Sequence, residues 1–276
     1  VDSKTFPVYS LAASQEFLFC GCGDRYVSVL NSCELPGSIQ EQRLGPHTGW
    51  VKNLLYDSTS ELLFSIGCNC IETWSRTPEG SWEHAAKRTI ESSPTEGSTL
   101  SSDLLCLCSG AKGRDNFYSG GVDGRIHVWS VDPSVKEPLL SIGAHTGRLN
   151  CLLYNSNFLF SAGNDGKLQC RRASGRELNK DPIITIDIGE ELRVTAGSLL
   201  KSSESSIDIV LGCSNGVLKH LHAVFDKSHI SISEQDQMTV AGNSSIQALL
   251  LVPGQDGAPS ITALVGHSTG LDVVTL

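Results

Sequence analysis

Four stretches of this chain can be laid over one another: residues 19–30 (FCGCGDRYVSVL), 64–74 (FSIGCNCIETW), 118–129 (YSGGVDGRIHVW) and 160–171 (FSAGNDGKLQCR). Each is an apolar pair, a small-residue step, a turn carrying Asp or Asn, and an alternating strand. Two weaker copies follow at 210–221 (VLGCSNGVLKHL) and 264–276 (LVGHSTGLDVVTL). The turn residues Asp24, Asn69, Asp123, Asp165, Asn215 and Thr269 recur roughly every 42–54 residues, the spacing of repeats that each build one small sheet. Asp-Gly and Asn-Gly turns favour tight hairpins, because both central positions need positive φ.

Another apolar run lies upstream of each unit, at 8–12, 51–56, 103–108, 149–154, 192–197 and 246–252. A more polar candidate strand lies downstream, at 41–44, 87–90, 139–142, 183–187 and 230–233. Four strands per unit, repeated about six times, predict an all-β chain folded as a β-propeller. The expectation is one domain over 1–276 with six four-stranded blades, a count of seven staying open. No segment keeps a helical period over three turns.

Composition narrows the function. Of 276 residues, 39% are hydrophobic and 27 are Gly, against a single Met, which suits short strands and tight turns. Lys plus Arg number 21 against 30 Asp plus Glu, a net charge of −9. Such a chain, with no dense basic run, lacks the footprint of a nucleic-acid binder. No apolar stretch nears the roughly 20 residues that span a bilayer, so no membrane insertion is expected. Ten cysteines include Cys20/Cys22, Cys68/Cys70 and Cys106/Cys108, each pair read as lying on one face of a strand. Buried reduced thiols without metal or cofactor are the expectation, since no zinc spacing occurs. A reducing compartment, cytoplasm or nucleus, fits them; import into an organelle after processing stays open. The start at Val1 reads as that of a processed or excised chain.

His47-Thr48-Gly49-Trp50-Val51 and His145-Thr146-Gly147-Arg148-Leu149, each followed by a Ser-x-Gly…Asp/Asn…Trp-type unit, resemble the WD-repeat (tryptophan–aspartate repeat) family. The resemblance implies a relay of hydrogen bonds among His, Ser, Asp and Trp within a blade. Carried over, blade two offers His47, Ser65, Asn69 and Trp74. Blade three offers Ser119, Asp123 and Trp129 without a matching His. Blade four offers His145, Ser161 and Asp165, with Arg171 in the Trp place. The relay is therefore expected to be partial. The family closes its ring with an N-terminal strand in the last blade. Here the last blade stops at its third strand, which predicts either missing residues before Val1 or an incomplete blade.

Catalysis is not expected. The candidate Ser, His and Asp residues fall on repeat positions, whereas a hydrolytic triad is one singular constellation. Gly21-Cys22-Gly23-Asp24 and Gly110-Ala111-Lys112-Gly113 match no phosphate-binding loop and read as tight turns. His220-Leu221-His222 puts two imidazoles on one strand face, read as an exposed pair with no third ligand near in sequence. What remains is recognition. Family geometry sets Trp50 and Arg148 at one repeat position on the top face, with Arg25, Arg125 and Lys167 in or beside the neighbouring turns. Trp and Arg are the common interface anchors, and such cations suit an acidic or phosphorylated peptide. Trp50 has a second reading as a core plug. The segments 75–102 and 226–244 read as long polar loops able to bind or regulate, with Ser93-Pro94 a candidate phosphorylation site. The expected function is a non-catalytic scaffold or adaptor, a subunit of a larger complex. The alternative is a propeller enzyme or small-ligand binder at the channel mouth, which would need unshared acidic or His residues on the first strands. Few are there.

Overall fold

A computed structural model describes residues 6–31, 40–90, 103–111, 115–155, 157–174, 177–189, 191–226, 229–240, 244–253, 261–268 and 270–276. Thr269, Ser93-Pro94 and Lys112-Gly113 lie outside the described residues. Among the described residues there is no helix, and 24 strands form six antiparallel sheets. The fold is a six-bladed β-propeller.

Two compact units divide the chain, 1–143 with 174–178, and 144–173 with 179–276. The first holds three blades, each a four-stranded meander. Blade 1 is β1 (Val8–Ala13), β2 (Phe17–Cys22), β3 (Val27–Asn31) and β4 (Gln40–Leu44). Blade 2 is β5 (Val51–Asp57), β6 (Leu62–Gly67), β7 (Cys70–Arg76) and β8 (Trp82–Thr89). Blade 3 is β9 (Leu104–Ser109), β10 (Asn116–Gly121), β11 (Arg125–Ser130) and β12 (Leu140–Gly143). The alternation of each strand sends one row of side chains into a layer between blades. Phe17, Phe19, Val27 and Val29 of blade 1 pack with Val51, Leu54, Leu63, Trp74 and Trp82 of blade 2. Phe64, Ile66 and Ile71 of blade 2 pack with Leu104, Leu107, Phe117 and Trp129 of blade 3.

In the second unit, blade 4 is built on β13 (Leu149–Asn155), β14 (Phe158–Gly163) and β15 (Lys167–Ser174). The two-residue strand β16 (Glu177–Leu178) falls in the first unit, and β17 (Ile184–Asp187), in the second, pairs with β15. Blade 5 is β18 (Val194–Lys201), β19 (Ser206–Cys213), β20 (Val217–Phe225) and β21 (Ile230–Thr239). Among the described residues blade 6 has three strands, β22 (Ile246–Pro253), β23 (Ile261–His267) and β24 (Gly270–Thr275). One face of blade 6 is closed: Leu251, Ala263 and Val265 join Ala196, Val210 and Leu218 of blade 5. The other face carries the cross-strand row Leu250, Leu264 and Val273. On it Leu250, Val252, Leu271 and Val273 are 38–66% exposed.

Three expectations need correction. The segment 75–102 is not one long loop, because β8 occupies its centre and buries Trp82, Ala86 and Arg88. Likewise β21 takes up much of 226–244. Alternation in both is masked by polar side chains on the outer face of an outer strand. Cys68, moreover, is not on a strand with Cys70; it sits in the β6–β7 turn with φ +57°.

Candidate functional site

The relay residues are brought together in blades 2 and 4 by the same local rule. A His precedes the first strand, a Ser points inward from the second, and an aromatic or Arg does so from the third. In blade 2 the Trp74 indole Nε1 donates to Ser65 Oγ at 2.8 Å, and Ser65 Oγ lies 2.7 Å from His47 Nε2. His47 Nδ1 is 3.1 Å from the Arg25 carbonyl, which can only accept. The proton therefore sits on Nδ1, and Nε2 accepts from the Ser65 hydroxyl. Asn69 stands apart from this chain: its amide donates to the Ile90 carbonyl at 3.2 Å.

Blade 3 keeps the Trp129 to Ser119 bond at 2.8 Å. Its Asp123 turns instead to His127, at 3.4 Å, while His127 Nδ1 is 2.8 Å from Ser141 Oγ. In blade 4, Asp165 Oδ1 lies 2.9 Å from His145 Nδ1, and His145 Nε2 lies 2.9 Å from Ser161 Oγ. Arg171 reaches the same Ser161 oxygen at 3.4 Å and donates through Nε to the Lys180 carbonyl. Blade 4 thus has a member at every relay position, with a guanidinium replacing the indole.

Asp165, His145 and Ser161 have the connectivity of a hydrolytic triad, and their burial decides against that chemistry. Ser161 and His145 are buried, and the Ser161 oxygen is already the acceptor for Arg171. No substrate carbonyl can approach a hydroxyl enclosed on all sides. Burial also holds the His145 and His47 imidazoles below their usual pKa, although hydrogen bonds to Asp165 and to the Arg25 carbonyl oppose it. Both rings are therefore neutral struts that tie a blade's first strand to its second and third.

His220 and His222 both approach one oxygen of Asp208, at 2.9 and 3.0 Å, and Ser202 donates to the other. Although burial of Asp208 works the other way, these bonds hold its carboxyl below the usual range. Sequence proximity could not find this partner, because Asp208 comes from the neighbouring strand, directly opposite His222. The pair is partly buried around a carboxylate, not an exposed pair. Among the described residues no group of three or more His, Cys, Asp or Glu is arranged to hold a metal.

The candidate anchors lie on the surface. In the first unit, Trp50 is 55% exposed, which removes the core-plug reading, and its ring stacks on Tyr9 with centroids 5.4 Å apart and planes at 16°. Phe6 and Val8 beside Tyr9 are exposed as well. Thr48 Oγ1 donates to the Gly67 carbonyl at 2.9 Å, and Gly49 passes so close to Cys68 that a Cβ there would lie 2.3 Å from its sulfur. These contacts fix the loop that presents Trp50. Arg25 is exposed at φ +74°, and its carbonyl receives both His47 bonds, so it borders the same loop. Arg125 is exposed and donates to the Ser141 carbonyl at 3.2 Å. In the second unit, Arg148 and Lys167 are exposed, with Lys167 N 3.4 Å from Asp165 Oδ1. Tyr9 was not foreseen; the apolar run at 8–12 reads as buried, and nothing in it marks Tyr9 as facing outward.

These blades define a β-propeller, with the full indole–hydroxyl–imidazole relay in blade 2 and parts of it in blades 3 and 4. Residues 136–170 match the family described as WD domain, G-beta repeat. Among solved structures, the WD40 β-propeller domain of Doa1 is 17% identical with a TM-score of 0.70, over 98% of this chain and 78% of that one. A chain in the crystal structure of the Mitotic Checkpoint Complex is 17% identical with a TM-score of 0.73, over 98% and 75%. Both likenesses concern the fold. No curated protein matches the sequence.

Proposed function

We propose that this chain is a non-catalytic scaffold that docks a protein partner through the loop ends of its blades, with Trp50 as the principal anchor. The observation that carries the reading is the exposed Trp50–Tyr9 stack. An aromatic pair this exposed costs free energy in water, and its loop is already fixed by Thr48, Gly49 and His47. Ordering it on binding should therefore cost little entropy. Fold relatives point the same way, one of them a chain of the Mitotic Checkpoint Complex, and WD-repeat propellers are in general interaction scaffolds. The non-catalytic part of the reading rests on the burial of Ser161 and His145.

Arg25, whose carbonyl holds His47 in the loop that presents Trp50, favours an acidic or phosphorylated segment as the ligand, because a guanidinium pairs with carboxylate or phosphate oxygens in two bonds. Arg125 in the first unit, and Arg148 and Lys167 in the second, are proposed as further contacts of the same kind. Fluorescence polarisation with acidic, phosphorylated and basic peptide pools tests this. Acidic or phosphorylated pools should bind, and Arg25→Glu should weaken them by about tenfold, close to 1.4 kcal/mol. Equal binding of basic pools, or no loss with Arg25→Glu, would refute the charge assignment.

A further inference from the structure

At the end of blades 1 and 2 opposite Trp50, the β1–β2, β5–β6 and β7–β8 turns surround a cavity of about 530 Å³ lined by Glu16, Tyr56, Glu61, Arg76 and Trp82. We infer that this cavity takes a lysine or arginine side chain from a basic segment of a partner protein. The inference is independent of the docking proposed at Trp50.

The volume falls within the range of ligand pockets and exceeds what one long side chain needs. Its charge is negative. The groups whose fields reach the Tyr56 phenol are three carboxylates, Glu61, Asp57 and Glu16, and one cation, Arg76. Burial first, and then Glu61, hold that phenol above its usual pKa, although Arg76 opposes them. Arg76 does not occupy the site as a resident cation. Its Nη1 is 2.7 Å from Glu16 Oε2, its Nε donates to the Gly80 carbonyl at 3.3 Å, and its guanidinium lies over the Phe17 ring at 4.9 Å. It is thereby held to one wall, and Glu61 forms no ion pair among the described residues.

Aromatic rings complete the recognition. Tyr56 meets Trp82 edge to face, with centroids 6.3 Å apart at 77°. The methylenes of Lys or Arg can pack on such carbon surface. One backbone feature sets the place apart. Glu61 holds φ +56°, a conformation that favours glycine. Such strain concentrates where a side chain must be held in place for use. An anionic ligand would meet the Glu16 and Glu61 carboxylates of the lining, whereas a basic one is also drawn by the whole chain's charge of −9.

The test follows the indole N–H resonances of the four tryptophans while acetylated, amidated Gly-Arg-Gly and Gly-Lys-Gly peptides are titrated in. Trp82→Phe assigns the Trp82 signal. We expect a saturable shift at Trp82 with the Trp50 signal unmoved, and no shift with Gly-Gln-Gly. Glu61 is exposed, so replacing it should leave thermal unfolding unchanged. Glu61→Gln should weaken binding about threefold and Glu61→Lys tenfold or more, while Trp50→Ala leaves it intact. The inference is overturned if Trp82 does not shift, if Gly-Gln-Gly acts equally, or if Glu61→Lys binds as the wild type does. It is also overturned if putrescine binds as tightly as the peptides, which would make the cavity a site for small amines.

Discussion

Single buried side chains carry much of the account, and two of them make it testable in solution. His47 and His145 are kept neutral by burial, so their folded pKa values lie below 6.5. In the unfolded chain each takes a proton near pH 6.5, while the folded chain does so only at lower pH. The unfolded state then binds more protons, so stability is full above pH 6.5 and is lost as pH falls through that window. Urea midpoints should accordingly drop between pH 7.5 and 5.5, and His47→Gln with His145→Gln should flatten that drop. Equal wild-type midpoints would contradict the assignment. Arg88 is the other case. It is 1% exposed, with its pKa pushed down to about 10 by burial, and it donates from β8 to the carbonyls of Ser130, Asp132 and Val135 in blade 3. Arg88→Ala strands those carbonyls and should cost on the order of 3 kcal/mol. Arg88→Lys should not restore it, since one ammonium cannot reach the same set; full recovery of the urea midpoint by Lys would show that charge alone matters.

Strands and turns show what the sequence could and could not convey. The apolar runs at 8–12, 51–56, 103–108, 149–154, 192–197 and 246–252 overlap the first strands of all six blades, although β18 begins only at Val194 and β1 keeps Val8, Tyr9 and Leu11 exposed. Outer strands were legible only in part. Of β8, the run 87–90 captures one end, and Trp82 with its Phe19 contact at 5.1 Å was invisible among Glu, Ser and Pro. Relay geometry was half legible. Ser65, Trp74 and His47 follow from repeat register, but the Arg25 carbonyl that replaces a turn Asp is a backbone atom without a sequence signal. The Ser-x-Gly step has a physical reason visible at Gly163, where a Cβ would lie 2.1 Å from the Arg148 carbonyl oxygen at the β13 bulge. Gly163→Ala should therefore destabilise the fold by roughly 2 kcal/mol or more. Gly143, with nothing within 4 Å of its would-be Cβ, should tolerate Ala within about 0.5 kcal/mol. Similar thermal midpoints for the two variants would show that the close approach relaxes freely.

At the scale of the molecule, interior and surface divide the work. Ser, His and Asp that resemble a catalytic set in sequence are consumed by the interior, where they join strands within blades. The surface keeps exposed groups, among them Trp50 stacked on Tyr9 and the arginines at turns that are proposed above as partner contacts. The central claim is that Trp50 anchors a protein partner. Affinity capture from cell extract, with wild type, Trp50→Ala and Arg148→Glu compared by quantitative mass spectrometry, tests it most directly. Because Trp50 and Arg148 are exposed, both variants should keep the wild-type unfolding midpoint. The account predicts that a partner held by the wild type falls by about thirtyfold with Trp50→Ala, the effect of losing a hot-spot residue worth roughly 2 kcal/mol. Undiminished capture by folded Trp50→Ala and folded Arg148→Glu alike would contradict it.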